Sequence, residues 1–222
     1  MKFEDCKLMA LGGNCASMYI LGGDIRIRGP VDNVVIEKVD VIKLLFENRY
    51  LEAIKKFNCT QIATPHPKIN EPRFSSQFDF GVTIIHNDPK TDHYYETLAL
   101  RINTFNNFYK EIHNPSHYFI FVLNQRTTYY GTKQLRGTLL IDILEYLKKL
   151  NLINKVIFVG TNEANTVQDT WTYYNYSLNN NDLKQFKEKY NIKYIELTEL
   201  DLTTDEGKMK AHQQFKQQLL SL

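Results

Sequence analysis

The chain has few cysteines, no block of charge of one sign and no long apolar run. Its three cysteines, Cys6, Cys15 and Cys59, are odd in number and lack the spacing of metal ligands. This pattern argues against a disulfide framework and against a cysteine-based metal site. The 27 basic and 25 acidic residues are mixed along the chain and leave a net charge of only +2. Strong nucleic-acid binding therefore has no electrostatic support.

Signals for secretion, membrane insertion and the common cofactors are also missing. The N-terminal residues lack the apolar segment of a signal peptide, and the apolar runs are far shorter than the roughly 20 residues of a membrane span. The glycine motifs that bind phosphates, the serine-hydrolase motif GxSxG and the zinc motif HExxH do not occur. We expect a soluble cytoplasmic protein with no cofactor and with neither nucleic-acid nor membrane partners.

Short apolar runs alternate with amphipathic stretches along the 222 residues. Six runs have the continuous apolar character of strands buried on both faces: 7–11, 33–36, 81–85, 118–123, 155–159 and 192–197. Five stretches carry apolar residues at helical spacing: 41–57, 94–112, 133–150, 183–190 and 209–222. The alternation predicts an α/β fold, a single three-layer Rossmann-like domain over residues 1–222 with a mostly parallel sheet flanked by helices.

Two stretches do not fit the alternation. Residues 58–80 contain three prolines and little periodicity, and residues 162–181 are polar but include Trp171 and three tyrosines. Because the second stretch follows a strand, we expect it at the carboxyl ends of the strands, where open α/β folds bind ligands. It is interpreted either as an aromatic lid over a cleft or as a surface loop whose rings pack on the domain.

Cys15 lies where the first apolar run gives way to a helix. Gly12 and Gly13 allow a tight turn after the run, and residues 16–21 can begin a helix. A thiol at such a turn faces free helix N–H groups and the positive end of the helix dipole. This environment lowers the pKa of a thiol and favours the nucleophilic thiolate. The alternative is that Cys15 is a small buried helix residue.

His86 and Arg126 also follow apolar runs directly. At one edge of a parallel sheet they would lie near Cys15, which makes His86 the candidate base for a thiol nucleophile. Such a histidine needs a third group to fix its tautomer. Asp32 is the first candidate for that group and Asp88 the second. The alternative for Asp32 is a turn or cap residue.

Three further side chains have candidate roles. The Asn14 amide and nearby backbone N–H groups could donate to a developing oxyanion, although Asn14 also suits a turn. Arg101, one position from the apolar stripe of its helix, either reaches water or pairs with a buried carboxylate. Arg126 could bind an anionic substrate group or be a plain surface charge. His86 and Asp88 with Asp92 and His93 could also supply metal ligands, but three ordered ligands cannot be identified from this spacing, and no metal is expected.

The order of these motifs resembles a known bacterial family. The string Leu11–Cys15 (LGGNC), followed by a helix, basic residues and Gly29–Asp32 (GPVD), is similar to the opening of the papain-like cysteine peptidases of the DUF1796 family. That family opens with a Leu-Gly-x-x-Cys turn and has a histidine downstream at the end of a strand, to which Ile85–His86 is similar.

The resemblance extends over about residues 7–160. The helix that contains Arg101 is similar to an arginine-bearing helix of the family, and Arg126 is similar to an arginine after the next strand. Val31 and Asn33 depart from the pattern, because the family usually has aromatic residues on either side of this aspartate. The resemblance implies a thiol enzyme.

Together, the residue patterns and the resemblance favour a cysteine-dependent hydrolase that acts on an acyl or amide bond of a small-molecule, peptide or glycan substrate. The candidate catalytic residues are Cys15, His86, Asp32 and Asn14, and the candidate substrate-binding residues are Arg101, Arg126 and Trp171. One alternative is an SGNH-like esterase or acyltransferase scaffold in which cysteine replaces serine. Another is a non-catalytic module that binds a glycan or a nucleotide-sugar by aromatic stacking.

Overall fold

Strands and helices alternate in the computed structural model, which describes residues 2–12, 16–23, 25–32, 34–36, 38–56, 59–66, 69–84, 92–124, 137–163, 180–200, 202 and 204–222. The strands are β1 (Lys7–Ala10), β2 (Arg26–Ile27), β3 (Val34–Ile36), β4 (Cys59–His66), β5 (Ile69–Phe78), β6 (Val82–Ile84), β7 (His117–Asn124), β8 (Val156–Glu163) and β9 (Lys193–Leu200). The helices are α1 (Ala16–Leu21), α2 (Val39–Phe46), α3 (Tyr50–Lys56), α4 (Asp92–Lys110), α5 (Gly137–Lys149), α6 (Asn180–Tyr190) and α7 (Asp205–Leu219).

Five strands form a parallel sheet in the order β2-β1-β7-β8-β9. Its central strand, β7, is buried on both faces, because Phe119 and Phe121 point into one core while Ile120 and Val122 point into the other. Helices α2 to α6 cover the first face, and α1 and α7 cover the second. The predicted α/β fold, a mostly parallel sheet flanked by helices in three layers, is confirmed.

A second sheet was not anticipated. Strands β3, β6, β5 and β4 form a four-stranded antiparallel sheet in that order. The apolar runs 33–36 and 81–85 supply β3 and β6, so their expected place in the parallel sheet is wrong. Val34, Ile36, Val82 and Ile84 are each at most 1% exposed because they pack into the first core. A short buried antiparallel strand therefore has the same apolar signature as a parallel one.

The proline-containing segment 58–80 forms most of this second sheet. Strands β4 and β5 pair from Cys59 opposite Phe78 to His66 opposite Ile69, with an irregularity in register before His66. Pro65 lies within β4, an edge strand, where a missing N–H is tolerated. The hairpin was not predicted, because each of its strands contains a proline and little periodicity.

The order of the parallel strands reverses between β1 and β7. The chain adds β2 on one side of β1, and then β7, β8 and β9 on the other side. In open α/β sheets, the crevice beyond the carboxyl ends of two such strands is where ligands bind. Within the described ranges, no helix is long and apolar enough to cross a membrane.

Candidate functional site

The chain leaves β1 at the point where the strand order reverses. Gly12, two residues beyond Ala10, has a φ of +126°, which a side chain would strain. A Cβ at Gly12 would lie 2.9 Å from Cδ1 of Ile36 and 3.9 Å from Phe121. The glycine thus lets the chain pass between β7 and the second sheet. Helix α1 begins at Ala16, four residues further on.

The segment that carries Asp32 crosses beside the end of β1. A Cβ at Gly29 would lie 3.0 Å from Cγ of Met9 and 3.4 Å from the carbonyl oxygen of Ala10. Glycine therefore permits the backbone after β2 to approach β1 closely, and residues 29–32 are all buried. The approach brings the segment that ends at Asp32 close to the carboxyl end of β1.

Asp32 forms a buried ion pair with Arg26. The Nη2 atom of Arg26 lies 2.5 Å from Oδ2 of Asp32, and the two side chains are 11% and 2% exposed. The second carboxylate oxygen, Oδ1, is buried and has no hydrogen-bond partner among the described residues, and the same holds for Nε of Arg26. The ion pair therefore uses Oδ2, and Oδ1 has no side-chain partner among the described residues.

Burial dominates the protonation of Asp32. Loss of solvent raises the pKa of this carboxyl, although the charge and hydrogen bond of Arg26 and the charge of Arg101 act in the opposite direction. The site thus combines one carboxyl with two guanidinium groups in a poorly hydrated place. Perturbed groups of this kind concentrate at functional sites.

Arg101 occupies a position of α4 that otherwise faces the core. Counting along α4, residues separated alternately by four and three positions lie on one face: Tyr94, Leu98, Arg101, Phe105 and Phe108, with Ile112 in the turn that follows the helix. The predicted apolar stripe of this helix is confirmed, since Leu98, Ile102, Phe105, Phe108 and Ile112 are buried. Arg101 is half-buried between Leu98 and Phe105 and forms no hydrogen bond or ion pair with any other described residue.

Two tyrosines extend the polar lining, and no sequence pattern indicates either of them. Tyr94 is half-buried in the first turn of α4, and burial raises its pKa while the charge of Arg101 opposes that shift. Tyr50, at the start of α3, is 1% exposed, and within the described ranges its hydroxyl has no partner. Burial, and secondarily Tyr94, raises the pKa of Tyr50. Because tyrosines are common in cores, their spacing marks a helix face and not a site.

Several predicted residues lie outside the described residues: Cys15, Asn14, His86, Asp88, Arg126 and Trp171. The elements next to them are described. Helix α1 begins one residue after Cys15, β6 ends two residues before His86, and β7 ends two residues before Arg126. The expectation that His86 follows a strand of the parallel sheet is wrong, because β6 belongs to the antiparallel sheet.

Two described histidines lie away from the candidate site. His117 begins β7 at the opposite edge of the parallel sheet, and its Nε2 lies 3.5 Å from a carboxylate oxygen of Glu111. His212 in α7 has Nδ1 2.9 Å from the carbonyl oxygen of Ile20 and an edge contact with Phe3. Among the described residues, no three His, Cys, Asp or Glu side chains are grouped to hold a metal ion.

Compared with known proteins, the sequence matches no protein-family model and no curated protein. The resemblance to the DUF1796 family thus stays a prediction.

Proposed function

We propose that the protein is a cytoplasmic cysteine-dependent hydrolase that cleaves an acyl or amide bond of a small-molecule, peptide or glycan substrate. Cys15 is the nucleophile, His86 the general base and Asp32 the group that orients His86. Asn14 and backbone N–H groups donate to the oxyanion, and Arg101, Arg126 and Trp171 bind the substrate. The resemblance to the bacterial DUF1796 peptidases supports the same assignment.

The observation that carries the proposal is the buried carboxylate of Asp32, whose Oδ1 has no hydrogen-bond partner among the described residues. Its Oδ2 accepts from Arg26, so Oδ1 is available to accept an N–H from an imidazole. A carboxylate in this role fixes the tautomer of a catalytic histidine and stabilises the imidazolium. Asp32 precedes β3 by two residues, just as His86 follows β6 by two residues.

The antiparallel pairing of β3 with β6 supports a role for the segments that carry these two residues. Val34 faces Ile84 and Ile36 faces Val82, so the start of β3 lies beside the end of β6. Before β3 the chain turns, and the N–H of Asp32 donates to the carbonyl oxygen of Gly29. The segment before β3, which carries Asp32, and the segment after β6, which carries His86, therefore adjoin the same end of this strand pair.

The chemistry follows from these roles. The Cys15 thiolate attacks the carbonyl carbon and forms a C–S bond, and the carbonyl electron pair moves to the oxyanion. When the oxyanion collapses, the bond to the leaving group breaks, and His86 supplies the proton that the leaving group needs. Water then attacks the thioester and gives a proton to His86, and the thiolate leaves with the C–S electron pair. The thiolate and the imidazolium are both restored.

The test is the pH dependence of iodoacetamide alkylation at each cysteine, measured by mass spectrometry. We expect the midpoint at Cys15 to lie below about 8.5, the value of an unperturbed thiol. Cys6 is an internal comparison, because it is buried and burial raises the pKa of its thiol. It should react slowly at all pH values at which the protein is folded.

Variants separate catalysis from packing. His86→Ala should raise the midpoint at Cys15, whereas His113→Ala should not, since His113 lies in the exposed turn between α4 and β7. Cys15→Ser should abolish turnover of activated esters and amides without unfolding the protein. A Cys15 midpoint at or above about 8.5 in the folded protein would contradict the proposal and favour a non-catalytic binding module.

A further inference from the structure

The position of Arg101 on α4 has no explanation in the packing of the fold. Its neighbours along the same helix face, Leu98 and Phe105, are 3% and 1% exposed and belong to the first core. An aliphatic residue at this position would bury apolar surface, whereas a half-buried guanidinium must keep its hydration or find a partner. Within the described ranges, Arg101 has neither a hydrogen bond nor an ion pair.

The charges around Arg101 are unbalanced. Arg26 already occupies Oδ2 of Asp32 at 2.5 Å, and Arg101 is near enough for its charge to act on the same carboxyl. The charges of two guanidinium groups therefore act on one carboxyl, and one carboxylate balances only one of them. The phenol of Tyr94, also within range of Arg101, stays neutral and can donate a hydrogen bond.

We propose that Arg101 is the receptor for a carboxylate on the acyl part of the substrate, close to the bond that Cys15 attacks. An incoming carboxylate would neutralise the excess charge and accept two parallel N–H bonds from the planar guanidinium. Tyr94 is positioned to donate to the same group. The proposed substrate is thus an ester, thioester or amide of a dicarboxylic or amino-dicarboxylic acid. This inference rests on the proposed function, which assigns Cys15 and Arg101 to one site.

The test compares two nearly isosteric reagents at Cys15. Iodoacetamide is neutral, and iodoacetate carries a carboxylate one bond from the carbon that the thiolate attacks. In both reactions an S–C bond forms as the C–I bond breaks, and iodide leaves with the electron pair. The ratio of the iodoacetate rate to the iodoacetamide rate therefore measures a preference for the anion and is independent of the thiolate fraction. The same ratio for N-acetylcysteine gives the value for a thiol in water.

We expect the ratio at Cys15 to exceed that of N-acetylcysteine by about tenfold or more, since a hydrogen bond to a charged partner contributes at least that factor. Arg101→Gln should return the ratio to the value for the free thiol, and Arg101→Lys should keep part of the preference. Arg49→Gln is the matched control, because it removes the same charge from a side chain that is 62% exposed and paired with Glu47. It should leave the ratio unchanged.

Turnover gives a second measurement. Arg101→Gln should lower kcat/KM for 4-nitrophenyl hydrogen succinate by about tenfold or more relative to 4-nitrophenyl acetate. A ratio that is equal in the wild type and in folded Arg101→Gln would overturn the carboxylate receptor even if Cys15 proves to be an activated thiolate. A normal pH midpoint at Cys15 together with a high, Arg101-dependent ratio would overturn the hydrolase but support the receptor. A Cys15 that reacts with neither reagent would overturn both.

Discussion

Asp32→Asn should change the free energy of unfolding at pH 7 by less than about 1 kcal/mol, although it removes the negative charge of a buried ion pair. Asparagine keeps an oxygen where Oδ2 accepts from Arg26 at 2.5 Å. A hydrogen bond from a charged donor stabilises by about 1.5–3 kcal/mol, so most of the pairing survives. A neutral amide also costs less to bury than a carboxylate, and burial already favours the neutral form of Asp32.

Asp32→Ala is the matched comparison, because it removes the acceptor as well as the charge. The Arg26 side chain, 11% exposed, would then keep its charge without a partner. Removal of one member of a buried ion pair costs about 3–5 kcal/mol. The two substitutions together therefore separate the need for an acceptor from the need for a charge.

The raised pKa of Asp32 also fixes how the free energy of unfolding of the wild type changes with pH. A carboxyl whose pKa is raised in the folded state contributes stability that is fully present below its unfolded pKa of about 3.9. That contribution is lost as the pH rises through the raised folded pKa. Between the unfolded and the folded pKa of Asp32, the wild type should therefore lose stability relative to Asp32→Asn. Above the folded pKa, the free energies of unfolding of the two proteins should change with pH in parallel.

Urea denaturation of the wild type and of Asp32→Asn, from acid to neutral pH, measures the difference between their free energies of unfolding. If Asp32→Asn lost about 3 kcal/mol at neutral pH but matched the wild type in acid, pairing with Arg26 would dominate. The reasoning from burial would then be refuted, and Asp32 would be a structural ion-pair member.

Two further substitutions test the site and the sheet. Arg101→Leu should raise the free energy of unfolding in urea by about 1 kcal/mol or more, because leucine buries apolar surface between Leu98 and Phe105; a less stable variant would mean that Arg101 is paired within the fold. Gly160→Ala should cost about 1–3 kcal/mol, because a Cβ there would lie 1.9 Å from the hydroxyl oxygen of Tyr194. The double variant with Tyr194→Phe should recover part of that loss in thermal unfolding, and no recovery would show that the clash is not with the hydroxyl.

Much of the parallel sheet could be predicted because its strands are buried on both faces. Residues 118–123 form a continuous apolar run, and β7 covers them. The second sheet could not be predicted by the same rule, since β3 and β6 are equally apolar but pair antiparallel. Strand direction depends on long-range pairing, which periodicity does not encode.

Of the candidate site, the turn that carries Asp32 could be predicted from the local sequence. Gly29–Asp32 suggests a turn after a strand, and the close approach of Gly29 to Met9 positions Asp32 beside β1. Its partner Arg26 was not identified, because nothing in the spacing distinguishes Arg26 from Arg28. Tyr50 and Tyr94 were missed for a related reason, since only the tertiary fold brings α3 and the start of α4 near the same charges.

The pairing of β1 with β7 sets the order in which the chain can fold. Lys7 faces His117, which is 110 positions later in the sequence, and the whole antiparallel sheet lies between them. Closing so long a loop carries a large entropic cost before any contact compensates it. During synthesis, β1 must wait for β7 to leave the ribosome, while the local β4–β5 hairpin can already form. The central pair of the sheet, beside which the candidate site lies, is therefore expected to form late.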